Sequence, residues 1–303
     1  MRGYWPTLLF LAALWGASYF FIKVAVADIP PPALMGTRAL VAGALLTAYL
    51  VATMGKREAV AGLRASWRPA VVLGALNAAI PFWLVAWGET HTASSVAGVA
   101  QSTVPLFSFL IGLRFLPHER IAALRWVGLA VGIIGVVVLA GLDPSGGTWA
   151  AVGTLAVVLS SASYASGGIF GQLRVSGTPG PVLAAGSMLA GGLMLLPFAL
   201  LDRPESTPGW KAVASLAALT FLGTVLAQLV FYRGLKHFGA RRISLVAYLM
   251  PVFALGYGAF LLDEPVAASV VLGLVLILCG VALGAGAVGG RRRTVAQAGE
   301  GRA

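Results

Sequence analysis

The residues of this chain with hydrogen-bonding or binding chemistry are few, and they sit inside long apolar runs. Asn77, Gln101, Ser102 and Gln228 are the polar side chains in such runs, together with Ser160, Ser161, Ser163 and Ser166. Serines in these surroundings commonly bond a neighbouring helix, for about 0.6 kcal/mol on average. The amides Asn77, Gln101 and Gln228 are bulkier and are the better candidates for ligand contact. Trp83 and Trp87 are one helical turn apart and share a face. Trp15, Tyr19, Tyr164, Tyr232 and Tyr248 can join them in an aromatic lining. An aromatic wall with a few amides suits an amphipathic metabolite with an apolar side chain. Tyr4, Trp5, Trp67, Trp126, Trp149 and Trp210 lie near the ends of runs and read as an interfacial belt.

Lys23 and Arg38 are the basic residues within the apolar runs. A charge there costs roughly 2.5–3.5 kcal/mol on insertion scales, which makes each a functional candidate. Both fall toward the ends of their runs, so two readings stand: snorkelling or structural pairing, and attraction of an anionic substrate group. Glu119 and Glu264 precede apolar runs and are expected to complement the dipoles of the helices they start. No Asp or Glu falls in the middle of a run, which argues against a midplane carboxylate proton relay. It favours facilitated diffusion or exchange, with coupling through a loop carboxylate or the substrate's own charge still open. Signals for catalysis, metals and cofactors are poor. His91, His118 and His237 lie at run ends, and His118-Glu119 lacks the second histidine of a zinc-binding helix. Gly284 to Gly289 fits a dinucleotide-binding pattern on paper but follows an apolar run rather than a strand. No metal and no cofactor are expected, and the chain is expected not to be an enzyme.

Of 303 residues, 59% are hydrophobic and only 10% charged, against about 25% charged in soluble domains. The chain is therefore expected to be a membrane protein. Its net charge of +11 reads as loop Lys and Arg rather than a nucleic-acid surface. Ten runs are predicted to span: roughly 6–27, 33–54, 69–88, 93–114, 121–142, 148–171, 179–201, 211–233, 239–262 and 266–288. Each is about 20 residues, enough to cross about 30 Å of hydrocarbon. Short polar breaks divide them, and the Arg- and Gly-rich tail 290–303 is expected to be disordered. Ala25-Val26-Ala27 resembles a signal-peptidase site but belongs to the fold, because its run has a counterpart in the second half. The single Cys279 excludes an intramolecular disulfide.

With the N-terminus placed in the cytoplasm, the inner loops take every basic residue except Lys23, Arg38, Arg203 and Lys211. The outer loops take Asp28, Glu89, Asp143, Asp202, Glu205, Asp263 and Glu264. The positive-inside rule thus predicts an inner (plasma) membrane protein with both termini cytoplasmic.

The stretch Gly88 to Gly135 occurs twice. With Pro105 over Pro251, Gly88 falls on Gly234 and His91 on His237. One residue of shift then puts Glu119 on Glu264, Gly128 on Gly273 and Gly135 on Gly280. Ala17-Ser18-Tyr19 returns as Ala162-Ser163-Tyr164. Two homologous halves of five helices each must be inverted, the organisation of many transporters. The expected division is 1–143, 144–289 and the tail. Pro105 and Pro251 sit near the middle of a run in each half. A proline there lacks an N–H and frees the carbonyl four residues back, at Gln101 and Ala247, which is tolerated where it faces protein or a wet cavity. The pairing places both kinks beside one central site, against the alternative of ordinary packing kinks. Gly128/Gly132 and Gly280/Gly284 read as close helix packing or a dimer face, in a monomer or homodimer.

Leu14-Trp15-Gly16-Ala17-Ser18, Lys23, Thr37-Arg38, the proline-centred fourth and ninth runs, and the glutamate followed by a Gly-rich run that closes each half resemble the EamA family of the drug/metabolite transporter superfamily. The likeness covers about residues 6–288. Ser160-Ser161 stand where the first half has Trp-Gly, so the two halves line the path unequally. The resemblance implies an all-α membrane protein of ten transmembrane helices in two inverted five-helix repeats. It also implies a secondary transporter that exports amino acids or similar metabolites by alternating access, with a small-molecule substrate, a lipid bilayer and no nucleic acid as its partners. The alternatives are a membrane-embedded enzyme acting on lipid-linked substrates and a non-transporting assembly protein.

Overall fold

The computed structural model describes residues 3–115, 123–141, 147–175 and 177–286. His118, Glu119, Arg120, Asp143 and the tail from Gly290 lie outside the described residues. Among these residues there is no strand. Eight helical runs are long and apolar enough to cross a membrane: Tyr4–Ala25, Pro31–Met54, Trp67–His91, Ser94–Phe115, Ala123–Ala140, Gly147–Arg174, Gly180–Leu201 and Trp210–Phe238. Two shorter apolar helices follow, Val246–Leu261 and Ala268–Gly284. They are called the first to tenth helices below. The ninth begins later than the apolar pattern predicts, because a four-residue helix, Ala240–Ile243, and a turn precede it.

The ends are marked by local chemistry. Pro31 and Pro32 open the second helix, where their missing N–H groups have no partner to lose. Gly239 ends the eighth at φ 80°, a conformation that costs glycine little. The break between the second and third helices is not a plain loop. Lys56–Ala65 forms an amphipathic helix there with Ala59 buried, a feature hidden in the sequence by its charge.

Helix packing follows a pattern. The second helix packs on the seventh, and the fifth on the tenth. The first packs on the eighth and ninth, and the sixth on the third and fourth. Exchanging each helix for the one five places along turns the second set of contacts into itself, as a two-fold relation requires. Glycine makes the close crossings possible. A Cβ on Gly128 would lie 2.5 Å from the Gly280 carbonyl oxygen, and one on Gly280 equally close to that of Gly128. The glycine faces of the fifth and tenth helices are therefore filled within the chain rather than left for a second copy. Gly43 against Leu189 and Gly192 against Leu40 do the same for the second and seventh.

Candidate functional site

Two helices carry a π-helical segment. In the third it is Ala75–Ala79, in the eighth Phe221–Leu226. Ala75 and Phe221 stand in the same register as Pro105 and Pro251. A π-segment widens the helix and leaves carbonyls without their usual partners, and such segments gather at functional sites. Here the sixth helix supplies a partner: the Ser163 hydroxyl donates to the Leu76 carbonyl at 2.8 Å. Ser18, the repeat counterpart of Ser163, stands against Gly223 in the other π-segment. Asn77 lies in the first segment, packed on Gly167, and its Oδ1 is buried with no hydrogen-bond partner.

Arg38 occupies the junction of the second, third and eighth helices. Only 6% of it is exposed. Its Nε donates to Thr224 Oγ1 at 2.9 Å, its Nη1 lies 3.6 Å from Met35 Sδ, and its guanidinium carbon lies 4.0 Å from the centre of the Phe82 ring. Thr224 is in the second π-segment. The cation is buried and anchored by an aromatic face and a hydroxyl, which disposes of snorkelling. Tyr19 and Tyr164, equivalent residues of the repeat, belong to the same electrostatic neighbourhood. The Tyr19 hydroxyl sits 4.0 Å from Met250 Sδ.

One end of the bundle is tied shut. The Lys23 ammonium donates to the carbonyls of Glu89, at 2.6 Å, and Thr92, at 2.7 Å. It thus caps the end of the third helix, where a cation is favoured by the helix dipole. The turn after the ninth helix passes through Asp263 at φ 52°, and the Glu264 N–H bonds back to the Gly258 carbonyl at 3.1 Å. This geometry carries the Glu264 carboxylate to the start of the fourth helix, where Oε1 accepts from the Ser94 N–H at 2.8 Å and Oε2 from the Ser95 N–H at 2.9 Å. Glu264 therefore complements a helix dipole, but that of the fourth helix rather than the tenth. Glu89 is not a loop residue. It belongs to the third helix, is 0% exposed, and neither carboxylate oxygen has a hydrogen-bond partner.

Toward the other end lies a cavity of about 320 Å³, bounded by the fourth, fifth, sixth, ninth and tenth helices. Pro105, Tyr248, Ser108, Gln172 and Arg125 are among its lining, and the remainder is mostly apolar. The buried Arg125 Nε has no hydrogen-bond partner.

The other residues that the sequence suggests for the site do not stay together. Gln101 is buried and engaged: its amide nitrogen donates to Ser161 at 3.2 Å, and its Oε1 accepts from Ser160 at 3.0 Å. It ties the fourth helix to the sixth. Ser102 donates to the Val99 carbonyl at 2.5 Å. The carbonyl freed by Pro105 is not left open, since the Val104 N–H bonds the Gln101 oxygen in a tight 3₁₀ turn, Gln101–Thr103. Pro251 is buried within the ninth helix. Trp83 is 41% exposed, on a stripe with Ile80 and Thr90, whereas Phe82, Val85 and Glu89 form the buried face. Trp87 meets His91 at a tilt, and His91 stacks on Trp149. The aromatic pair thus lies away from Arg38, and Phe82 takes the place expected of it. Trp15 packs on Phe231, and Tyr232 packs on Gly180. Gln228 is half-buried in the eighth helix. Among the described residues, no group of His, Cys, Asp and Glu could hold a metal ion.

Among the described residues, a helical bundle with eight membrane-length segments, a buried Arg38 and a cavity toward one end is the architecture of a polytopic membrane protein. The EamA-like transporter family model matches twice, at residues 3–141 and 151–285, and the chain belongs to that family. It is 29% identical over 280 residues to YedA, an uncharacterized inner membrane transporter of Escherichia coli, covering 91% of this chain and 88% of that protein. It is 25% identical over 283 residues to a probable amino-acid metabolite efflux pump of Salmonella typhimurium, covering 90% and 91%. A solved crystal structure superposes with a TM-score of 0.65 at 20% identity, over 91% of this chain and 95% of the other.

Proposed function

We propose that this chain is a secondary transporter of the inner membrane, built of ten spanning helices in two inverted halves, 1–143 and 144–289, with both termini cytoplasmic. It exports small amphipathic carboxylates, amino acids with apolar side chains foremost, by alternating access. The observation that carries this reading is the cavity between Pro105, Tyr248 and Arg125. It lies at the end of the bundle where Arg174 and the basic loops gather, while the Lys23 and Glu264 contacts close the other end. By the positive-inside rule the cavity end is cytoplasmic, so this arrangement is the one that receives a substrate from inside. Apolar walls with one guanidinium match a carboxylate joined to an apolar side chain. The name of the Salmonella relative points to the same class. Arg38, with Tyr19 and Tyr164 in its electrostatic neighbourhood, is the second cation on the path, and Asn77 lies in the π-segment of the third helix. Trp83, Trp87 and Gln101 are left as packing residues.

The test is efflux of labelled amino acids from proteoliposomes, with Arg125→Ala and Tyr248→Ala alongside the native protein. Flux that is selective for apolar amino acids and falls at least tenfold in Arg125→Ala supports the reading. Flux of other solutes alone, or product formation without flux, overturns it.

A further inference from the structure

Glu89 is the one fully buried acidic residue among the described residues, and the transport path above gives it no task. Its helix neighbours explain its position: Val85 and Phe82, one and two turns back, share its face, and Gly88 lets the third helix close on Gly153 of the sixth. Both oxygens are buried and unpartnered. An ionised carboxylate without hydrogen bonds in such a place is strongly disfavoured, so it either pairs with a cation or takes a proton. The nearest cation is committed elsewhere. The Lys23 ammonium is bound by the backbone carbonyls of Glu89 itself and of Thr92, and no described residue forms a salt bridge with Glu89. The charged and titratable groups around it are Lys23 and Tyr19 on the first helix, Arg38 on the second and Glu264 before the tenth. On its own helix, His91 turns away to Trp87 and Trp149. Glu264 accepts hydrogen bonds from two backbone N–H groups, and a negative charge there opposes a second one beside it.

We propose that Glu89 is a proton-binding site whose occupancy is linked to closure of the Lys23–Glu264 end. This goes beyond the transport reading and rests on it only for the existence of a second, open arrangement. When that end opens, water reaches Glu89 and the carboxylate ionises. Closure requires an O–H bond on one carboxylate oxygen, with the proton taken from hydronium and a water molecule left behind. The sign follows: the closed arrangement binds one proton more than the open one, so low pH favours closure and high pH favours opening. A carrier that visits both arrangements in each cycle then has one step whose equilibrium moves with pH, despite the lack of a midplane carboxylate.

Spin labels at Thr90 and Val266, exposed residues flanking this end, report its opening in a Cys279→Ser background without any substrate. In the otherwise native protein the short-distance population should fall as pH rises, along a one-proton curve. Glu89→Gln should keep the short distance at every pH, and Glu89→Asp should keep a pH response. A distance independent of pH in the native protein, or the native response retained in Glu89→Gln, overturns the proposal. A second readout needs no variant to fold: the native protein must show the infrared carbonyl band of a protonated buried carboxyl group, fading over the same pH range. Absence of that band also overturns it. Solute flux without the pH response would leave the transport reading intact and remove this one, and the reverse result would do the opposite.

Discussion

Glu264 lies far along the chain from Ser94, yet its carboxylate oxygens take the first two backbone N–H groups of the fourth helix, at 2.8 and 2.9 Å. The contact joins the start of one repeat's proline helix to the turn that follows the other's.

Removing that carboxylate should weaken the closed arrangement. A hydrogen bond to a charged group is worth about 1.5–3 kcal/mol, and a helix N-terminus adds to it. Glu264→Ala should lower the melting temperature of the purified protein and lengthen the Thr90–Val266 distance. Glu264→Gln keeps one acceptor and should fall between the two. An unchanged melting temperature in Glu264→Ala would mean that the cap carries no stability.

Arg38 should not tolerate lysine. Its planar guanidinium covers Phe82 at 4.0 Å and bonds Thr224 at 2.9 Å, a pair of contacts that an ammonium reproduces poorly. Arg38→Lys should reduce efflux at least tenfold with little change in the amount of folded protein. Thr224→Val removes one hydrogen bond, for about 1 kcal/mol, and should have a smaller effect. Native efflux in Arg38→Lys would make the charge alone sufficient.

The glycines of the fifth and tenth helices separate packing from transport. Gly128→Ala pushes a methyl group against the Gly280 backbone, and overpacking of this kind costs about 1–3 kcal/mol. Gly168 has nothing within 4 Å of a Cβ and lines the cavity. Gly168→Leu should therefore leave thermal stability close to native and block efflux by filling the cavity. A Gly128→Ala protein as stable as the native one would show that the two helices can move apart without penalty.

The orientation is tested by cysteines in the Cys279→Ser background. Positions Asp28 and Asp202 should react with an impermeant thiol reagent applied to intact cells, and Lys56, Arg174 and Lys236 should not. Labelling of either set from the wrong side would invert the proposed direction of the cavity.

Hydropathy read along the chain determined the class of this protein and most helix positions, and matching residues and motifs pointed to two similar halves and to the family, because each rests on terms that a residue carries with it: its cost of transfer into lipid and its place in a pattern. The prolines announced where the fourth helix departs from α geometry. Tertiary structure decided what the residues at those places do. Glu89 follows an apolar run, so its charge reads as the edge of a loop, and only closure of neighbouring helices over it makes it a buried acid. The spacing of Phe82, Val85 and Glu89 on one face was its one trace in the sequence. Gln101 reads as a ligand-binding amide until Ser160 and Ser161 are seen to use it. Glu264 shows no sign of its partner, because a helix terminus recruits whichever carboxylate the fold brings within reach. Trp83 and Phe82 are adjacent in sequence, and which of them faces Arg38 depends on the rotation of the third helix, set by glycine contacts with the sixth and seventh. Transfer energies are properties of single residues, whereas pairing and burial are properties of the contacts between helices, and those exist only in the folded chain.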